Sequence, residues 1–397
     1  MKSKTLFALC LLAAGAIQSA LAGPLSVSNG KFMKDGKPFY GVGVNYFDGF
    51  YRYSVFNNSS ALTTGLATLK QYQVPFIRVP AIVFWPTDIQ KSYVAKHQEF
   101  LTRLDAFMDA AKAQNIGVVL DVFFNWTAFP DLKGEHLPAI GDSSSQARAF
   151  MRGALTELVT RYKDHEALWA LEFANEATTV MDIPPSVGNF NYLPSSPAAG
   201  APERTVTDNI TPADIISALK EFATIIRSID PATPIFSGND VPYYCANNLR
   251  HGSWNSDTRQ QFGEILERDN PAPIDTISMH LYPKAEGAAG KYFAAPGQTS
   301  TATYSDIIAA AMAQSVLSQR PFFLGEFGVD QKLYPDDTPQ RFEGITNAIV
   351  TNRVQMSALW VYDLSMQDAT YNVTSTNARK YQLEKVRDMN IEMANWQ

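Results

Sequence analysis

Residues 168–176 read Leu168-Trp169-Ala170-Leu171-Glu172-Phe173-Ala174-Asn175-Glu176. The apolar residues run consecutively instead of alternating, as expected for a strand buried on both faces, and the run ends on a carboxyl group. Seven further stretches share this pattern: Phe39–Tyr46, Pro75–Pro80, Gly117–Phe124, Pro234–Asp240, Ile274–Tyr282, Pro321–Gly328 and Met356–Leu364. With 168–176 they make eight candidate strands. Between them lie helix-length amphipathic segments. In Phe100–Asn115, for instance, Leu101, Leu104, Phe107, Met108 and Ala111 fall on one face. Ala147–Tyr162, Pro212–Ser228, Ala302–Ser318, Pro339–Thr351 and Thr376–Ala394 continue the series, and Thr211-Pro212 is a cap followed by a first-turn proline. Eight strands alternating with helices predict an α/β chain forming a single (β/α)8 TIM barrel. A doubly wound open sheet is the alternative, but it lacks a Gly-rich phosphate turn here: Gly41-Val42-Gly43 lies inside a strand.

Upstream of the first strand, residues 25–40 carry two turn dipeptides, Asn29-Gly30 and Asp35-Gly36, between short runs. They predict an N-terminal β-hairpin. Further upstream, Lys2 and Lys4 precede the apolar run Thr5–Ile17, and Ala20-Leu21-Ala22 supplies small residues for cleavage. That is the pattern of a secretory signal peptide over 1–22, cut after Ala22, with a catalytic-size domain over 23–397. The apolar run is too short to span a bilayer, so we expect a secreted or periplasmic protein without a membrane span. Cys10 would leave with the signal, and Cys245 would then have no intramolecular disulfide partner, so the core must hold the fold together. A formal net charge of −6 argues against nucleic acid as a partner. A monomer is expected.

The loops after strand ends are uneven. Residues 177–211, 241–257 and 283–302 follow the fourth, fifth and sixth strands, on the face where barrel enzymes place their sites. Two carboxyl groups stand out on that face: Glu176, and Glu326 at the end of Phe322-Phe323-Leu324-Gly325-Glu326. A charge at the mouth of a packed barrel is costly unless it is paired or used. Glutamates on strands four and seven face each other across the mouth. Glycoside hydrolysis needs such a pair, one carboxyl to protonate the leaving oxygen and one to attack or to activate water.

Asn175-Glu176, His280-x-Tyr282, Glu326, Arg78 on strand two and Trp360 on strand eight together resemble glycoside hydrolase family 5, the cellulase and β-mannanase family of retaining hydrolases. The resemblance spans essentially the whole chain after the signal. It implies Glu176 as general acid/base, with a pKa raised by burial and a neighbouring charge, and Glu326 as nucleophile, kept ionised by Arg78 and the Tyr282 hydroxyl. It further implies that Asn175 contacts the sugar 2-hydroxyl, that His280 sits beside the acid/base, and that Trp360 floors the subsite of cleavage. The function implied is double-displacement hydrolysis of a β-linked polysaccharide or oligosaccharide. Transglycosylation on the same residues and a sugar-binding barrel without catalysis stay open, as does endo against exo action.

Strand three departs from the common Asp-x-His pattern. It reads Asp121-Val122-Phe123-Phe124-Asn125-Trp126, with phenylalanine for histidine, and Asn125-Trp126 tilts the substrate from β-glucan towards β-mannan. Asp121 is expected to make a structural hydrogen bond. Tyr46, Tyr51, Trp85, Trp126, Tyr243, Tyr244 and Trp254 are candidates for stacking on sugar rings, and Asp240 and Asp363 for a hydroxyl contact or a turn cap. Five scattered histidines show neither a His-x-x-x-His pair nor a Cys cluster, so no metal and no cofactor is expected.

Overall fold

The computed structural model describes residues 24–82, 86–184, 186, 188–193, 200–283 and 291–396. The signal-peptide segment and Trp85 lie outside the described residues. Strands β1 (Ser26–Ser28), β2 (Lys31–Lys34) and β3 (Lys37–Pro38) form a small antiparallel sheet. Its two turns fall at the predicted dipeptides, with Asn29, Gly30, Asp35 and Gly36 all at positive φ. The expected hairpin therefore carries a short third strand.

Eight parallel strands follow: β4 (Gly41–Asn45), β5 (Phe76–Pro80), β6 (Gly117–Asp121), β7 (Leu168–Glu172), β8 (Ile235–Phe236), β9 (Ile277–Leu281), β10 (Phe322–Phe327) and β11 (Met356–Leu359). Each pairs with its sequence neighbour and β11 pairs with β4. At the remaining seam, between β8 and β9, the Asp275 N–H donates to the Ile235 carbonyl at 3.1 Å and closes the ring. This is the (β/α)8 barrel that the alternation of apolar strands and amphipathic helices predicts. β8 is shorter than the predicted 234–240. Beyond Phe236 the chain turns at Gly238, at φ +73°, where a Cβ would lie 2.0 Å from the Ala174 carbonyl oxygen. Only glycine lets this turn lie against the end of β7.

Helices His97–Ala113, Gln146–Tyr162, Pro212–Ile229, Tyr304–Ser318, Thr338–Thr351 and Lys380–Met393 sit where sequence periodicity predicts them. Ends differ by up to about four residues, the usual uncertainty of a boundary. Capping boxes at Thr211 with Asp214 and at Thr303 with Asp306 fix two of the starts. The apolar helix faces pack on the outside of the strands in one continuous core.

A second, smaller cluster fills the barrel from below. Phe76, Val119, Phe236, Phe323 and Met356 meet inside it, with Leu25 and Phe32 of the N-terminal sheet as the plug. Gln355 ties the plug down, accepting from the Phe32 N–H and donating to the Phe32 and Phe39 carbonyls, all at 3.0 Å. Gly43 belongs to this layer, since a Cβ there would stand 2.5 Å from the Phe76 ring. The Gly-x-Gly of strand one therefore serves packing. Above the apolar layer the barrel interior becomes polar, and there the candidate site begins.

Candidate active site

Arg78 organises the polar layer. It projects inward from β5, 1% exposed, and its guanidinium meets five side chains. Nε donates to Glu172, Nη1 to Asn45 at 2.9 Å and to Glu326 at 2.6 Å, and Nη2 to Asp121 at 3.1 Å and Asn175 at 2.9 Å. Strand register explains the convergence. Asn45 pairs with Arg78 across β4 and β5, and Asp121 with Glu172 across β6 and β7. Arginine suits this position because its fork of donors stays protonated when buried. Three carboxyls around one cation leave negative charge in excess. Burial, followed by Glu172 and Glu326, pushes the Asp121 carboxyl well above its ordinary range, against the pull of Arg78.

Glu326 stands over this layer, 3% exposed. One carboxyl oxygen accepts from Arg78, and the other accepts from the Tyr282 hydroxyl at 2.5 Å. The donors expected from the sequence are both in place, but burial outweighs them. The Glu326 carboxyl is pushed above the usual range by burial, while His280, Arg78 and Tyr282 pull it down and Glu176 adds to the rise. Tyr282 keeps its proton, because burial and Glu326 push its phenol far up.

Glu176 lies beyond the end of β7 at φ +49°, a left-handed backbone that is uncommon outside glycine. The turn is held by its N–H donating to the Gly238 carbonyl at 2.8 Å and its carbonyl accepting from the Thr179 N–H at 3.1 Å. It presents the carboxyl to the cleft, with the side chain 26% exposed. The burial expected of Glu176 thus falls on Glu326 instead. His280 lies opposite Glu326 in the β9–β10 register, and its Nδ1 stands 2.9 Å from Glu176 and 3.5 Å from Glu326. One carboxyl oxygen from each glutamate and a His280 nitrogen all lie within 4.8 Å of one another.

A cleft of about 560 Å³ opens above the pair, within the usual range for a ligand site. Asn175, Trp126, Asn125 and Trp360 line it, as sequence predicts. Arg78 can only donate, so the Asn175 carbonyl oxygen faces it, while Asn175 also lines the cleft. Trp360 is 8% exposed, with its indole N–H donating to Gln367 at 2.9 Å and its ring against Phe47 at 5.4 Å. Thr127 donates to the Asn125 side chain at 2.7 Å. Asp121 makes the structural bond expected of it. Phe123, which stands where the common Asp-x-His pattern has histidine, packs behind the wall on Phe129, Phe173 and Phe222, while the neighbouring Phe124 ring lies 5.7 Å from the Arg78 guanidinium.

The stacking candidates divide. Tyr51 and Trp126 line the cleft, but Tyr46 is fully buried and donates to the Ala61 carbonyl, because Gly49 and Gly65 leave room for its ring. Tyr243, Tyr244 and Trp254 lie on the segment after β8 and do not line the cleft. Asp240 accepts from the Val241 N–H as a turn cap, and Asp363 pairs with Arg52 at 2.7 Å. Sequence reasoning missed Asn45, Glu172, Phe47, Tyr192 and Gln367. Glu172 had a signal: a charge inside an apolar strand demands a partner. Tyr192 and Gln367 sit on single 3-10 turns, Asn189–Tyr192 and Ser365–Gln367, within the segments after β7 and β11, whose approach to the cleft no periodicity reveals.

Comparison with known proteins agrees with this fold. The family profile "Cellulase (glycosyl hydrolase family 5)" matches residues 33–397. No curated protein matches the chain by sequence. Among solved structures, the endo-1,4-β-mannanase of Rhizomucor miehei aligns at TM-score 0.67 and 16% identity, over 94% of this chain and 99% of that one. The hyperthermostable endo-1,4-β-D-mannanase of Thermotoga petrophila RKU-1 aligns at TM-score 0.61 and 14% identity, over 89% and 100%. A hyperthermostable endocellulase aligns at TM-score 0.60 and 16% identity, over 92% and 98%. At these identities the likeness is one of fold, and the family rests on the profile match. The chain belongs to glycosyl hydrolase family 5 and is a glycoside hydrolase built on a (β/α)8 barrel.

Proposed function

We propose that the protein hydrolyses a β-linked glycan with net retention, with Glu176 as acid/base and Glu326 as nucleophile. The observation that carries this is the approach of the two glutamates, with one oxygen of each within 4.8 Å. Retaining enzymes hold their carboxyl groups about 5–5.5 Å apart, whereas inverting ones leave about 6.5–9.5 Å for a water.

In the first step Glu176, at the open side of the cleft, gives its proton to the glycosidic oxygen. Glu326 attacks the anomeric carbon, and the bond to the leaving sugar breaks as the ester forms. Arg78 and Tyr282 fix the attacking carboxylate, and the Asn175 amide donates to the 2-hydroxyl. Trp360 lies under the ring. In the second step Glu176 takes a proton from water, the hydroxide attacks the same carbon, and Glu326 leaves. His280, between the two carboxyls, adjusts the charge balance as the proton moves.

β-Mannan is the preferred substrate over β-glucan. That preference is supported by Asn125-Trp126 at the cleft, since the similar structures include both mannan- and cellulose-acting enzymes. We take the protein to act as a monomer and to be exported through the signal at residues 1–22. No helix among the described residues is long and apolar enough to cross a membrane. Reducing-sugar release from mannan, cellulose, xyloglucan and mixed-linkage glucan tests the substrate, and mass analysis of the exported N-terminus tests cleavage after Ala22. Faster release from a glucan than from mannan would overturn the preference.

A further inference from the structure

The loops after β8 and β9 carry a second aromatic face that the mechanism does not use. Tyr243 and Trp254 are 40% and 52% exposed, against a core that buries most other rings. The Tyr243 and Tyr244 rings lie 4.9 Å apart, and the Lys291 ammonium sits 4.8 Å from the Tyr244 ring centre. Tyr244, Trp254, Asn255, Lys291 and Gln298 line a depression of about 300 Å³.

This face is built in advance of any ligand. The Asp257 carboxylate accepts from the Asn247 and Asn248 N–H groups at 2.7 and 3.0 Å. The Asn248 amide then holds the Asn255 and Ser256 carbonyls at 3.0 Å each, and the Asp257 N–H donates to the Tyr244 carbonyl at 2.9 Å. Tyr292 donates to the Pro242 carbonyl at 2.8 Å from the neighbouring loop. A fixed loop avoids much of the ordering cost of binding.

A single exposed aromatic needs no explanation. A cluster of them beside exposed amides is different, because a neutral sugar presents C–H faces to rings and hydroxyls to amides. Among the described residues that line the depression, the cation Lys291 is held over the Tyr244 ring, so a neutral ligand suits the site better than an anionic one. The cleft carries an exposed ring of its own. Tyr192 lines the cleft and is 62% exposed. Burial pushes the Tyr243 phenol up, and Cys245 and Tyr192 add to the rise.

We infer that the depression between Tyr244, Trp254 and Lys291 is a second binding site for a neutral β-linked glycan, which holds a remote stretch of the polymer being cleaved. This rests on the reading that such a glycan is the substrate. The test compares the wild type with Trp254→Ala in native gels containing soluble galactomannan or hydroxyethylcellulose, and on a short aryl β-glycoside. Loss of one stacking ring weakens retardation by the polymer about three- to tenfold. Turnover of the short substrate stays within about twofold, as for a surface change away from the cleft. Trp254→Phe recovers most of the retardation, and an unchanged Tm excludes misfolding. Equal retardation of Trp254→Ala and wild type on both polymers, with the wild type cleaving the aryl glycoside, overturns the second site alone. A wild type that cleaves no β-glycoside overturns the proposed function instead.

Discussion

Replacing Tyr282 by phenylalanine removes one oxygen from the site and leaves the ring packed against Tyr371. That oxygen donates to Glu326 at 2.5 Å, while the other carboxyl oxygen keeps its bond from Arg78 at 2.6 Å. Glu326 is buried and its carboxyl already sits above the ordinary range, so its charged form depends on these donors. A hydrogen bond to a charged group contributes about 1.5–3 kcal/mol. Losing it disfavours the carboxylate and moves the Glu326 pKa further up. On the acid limb of the pH profile, where ionised Glu326 is scarce, kcat/KM then falls roughly ten- to hundredfold. At pH values above the limb the loss is smaller, because Glu326 is ionised in both proteins. The assay is kcat/KM against pH on a chromogenic aryl β-glycoside, for wild type and Tyr282→Phe. The wild-type limb should fall above the ordinary carboxylate value, and the variant's limb at still higher pH. A uniform drop with the limb unmoved would refute the idea that Tyr282 stabilises the charged form of Glu326.

Glu176→Gln should abolish cleavage of polysaccharide, whose leaving oxygen needs a proton, yet still give a burst of phenol from an aryl glycoside with an acidic leaving group; stopped-flow absorbance decides. Asp121→Asn keeps an acceptor for Arg78 and removes a buried acid whose pKa is raised in the fold. A raised acid binds its proton more tightly folded than unfolded, so its contribution declines as pH rises from the unfolded value near 3.8 through the folded one. The variant's Tm should therefore fall less between pH 4 and pH 8 than that of the wild type, as calorimetry would measure. Gly43→Ala forces a methyl to within 2.5 Å of Phe76 and should cost about 1–3 kcal/mol, read as a lower midpoint in urea.

Much of the fold was legible because both periods were clean. Consecutive apolar residues marked all eight buried strands, and the amphipathic repeat marked the helices between them. Strand ends were less so: Pro234–Asp240 is expected as one strand, yet only Ile235 and Phe236 pair, because the chain turns at Gly238 within the polar stretch Ser237–Asp240. The pair Glu176 and Glu326 was visible as charges ending apolar strands. The unequal burial of the two was not, since it depends on how the turn at Glu176 lifts one carboxyl towards solvent while Glu326 stays in its strand. Arg78 was visible as a partner for Glu326, but its ties to Asn45, Asp121, Glu172 and Asn175 come from strand register, which no single strand encodes. Tyr46 misled because an aromatic at a strand end looks the same whether it faces the cleft or, as here, the Ala61 carbonyl.

The most direct test of the catalytic pair is to trap it. A 2-deoxy-2-fluoro β-glycoside with a good leaving group slows both steps by destabilising the positive charge on the ring, and its leaving group keeps the first step the faster one. The labelled protein is digested and the modified peptide sequenced by mass spectrometry. Double displacement through the pair predicts one sugar per chain, attached to the Glu326 side chain in Phe322-Phe323-Leu324-Gly325-Glu326. A label on Glu176, or turnover with no label and a first product of inverted configuration, would contradict it.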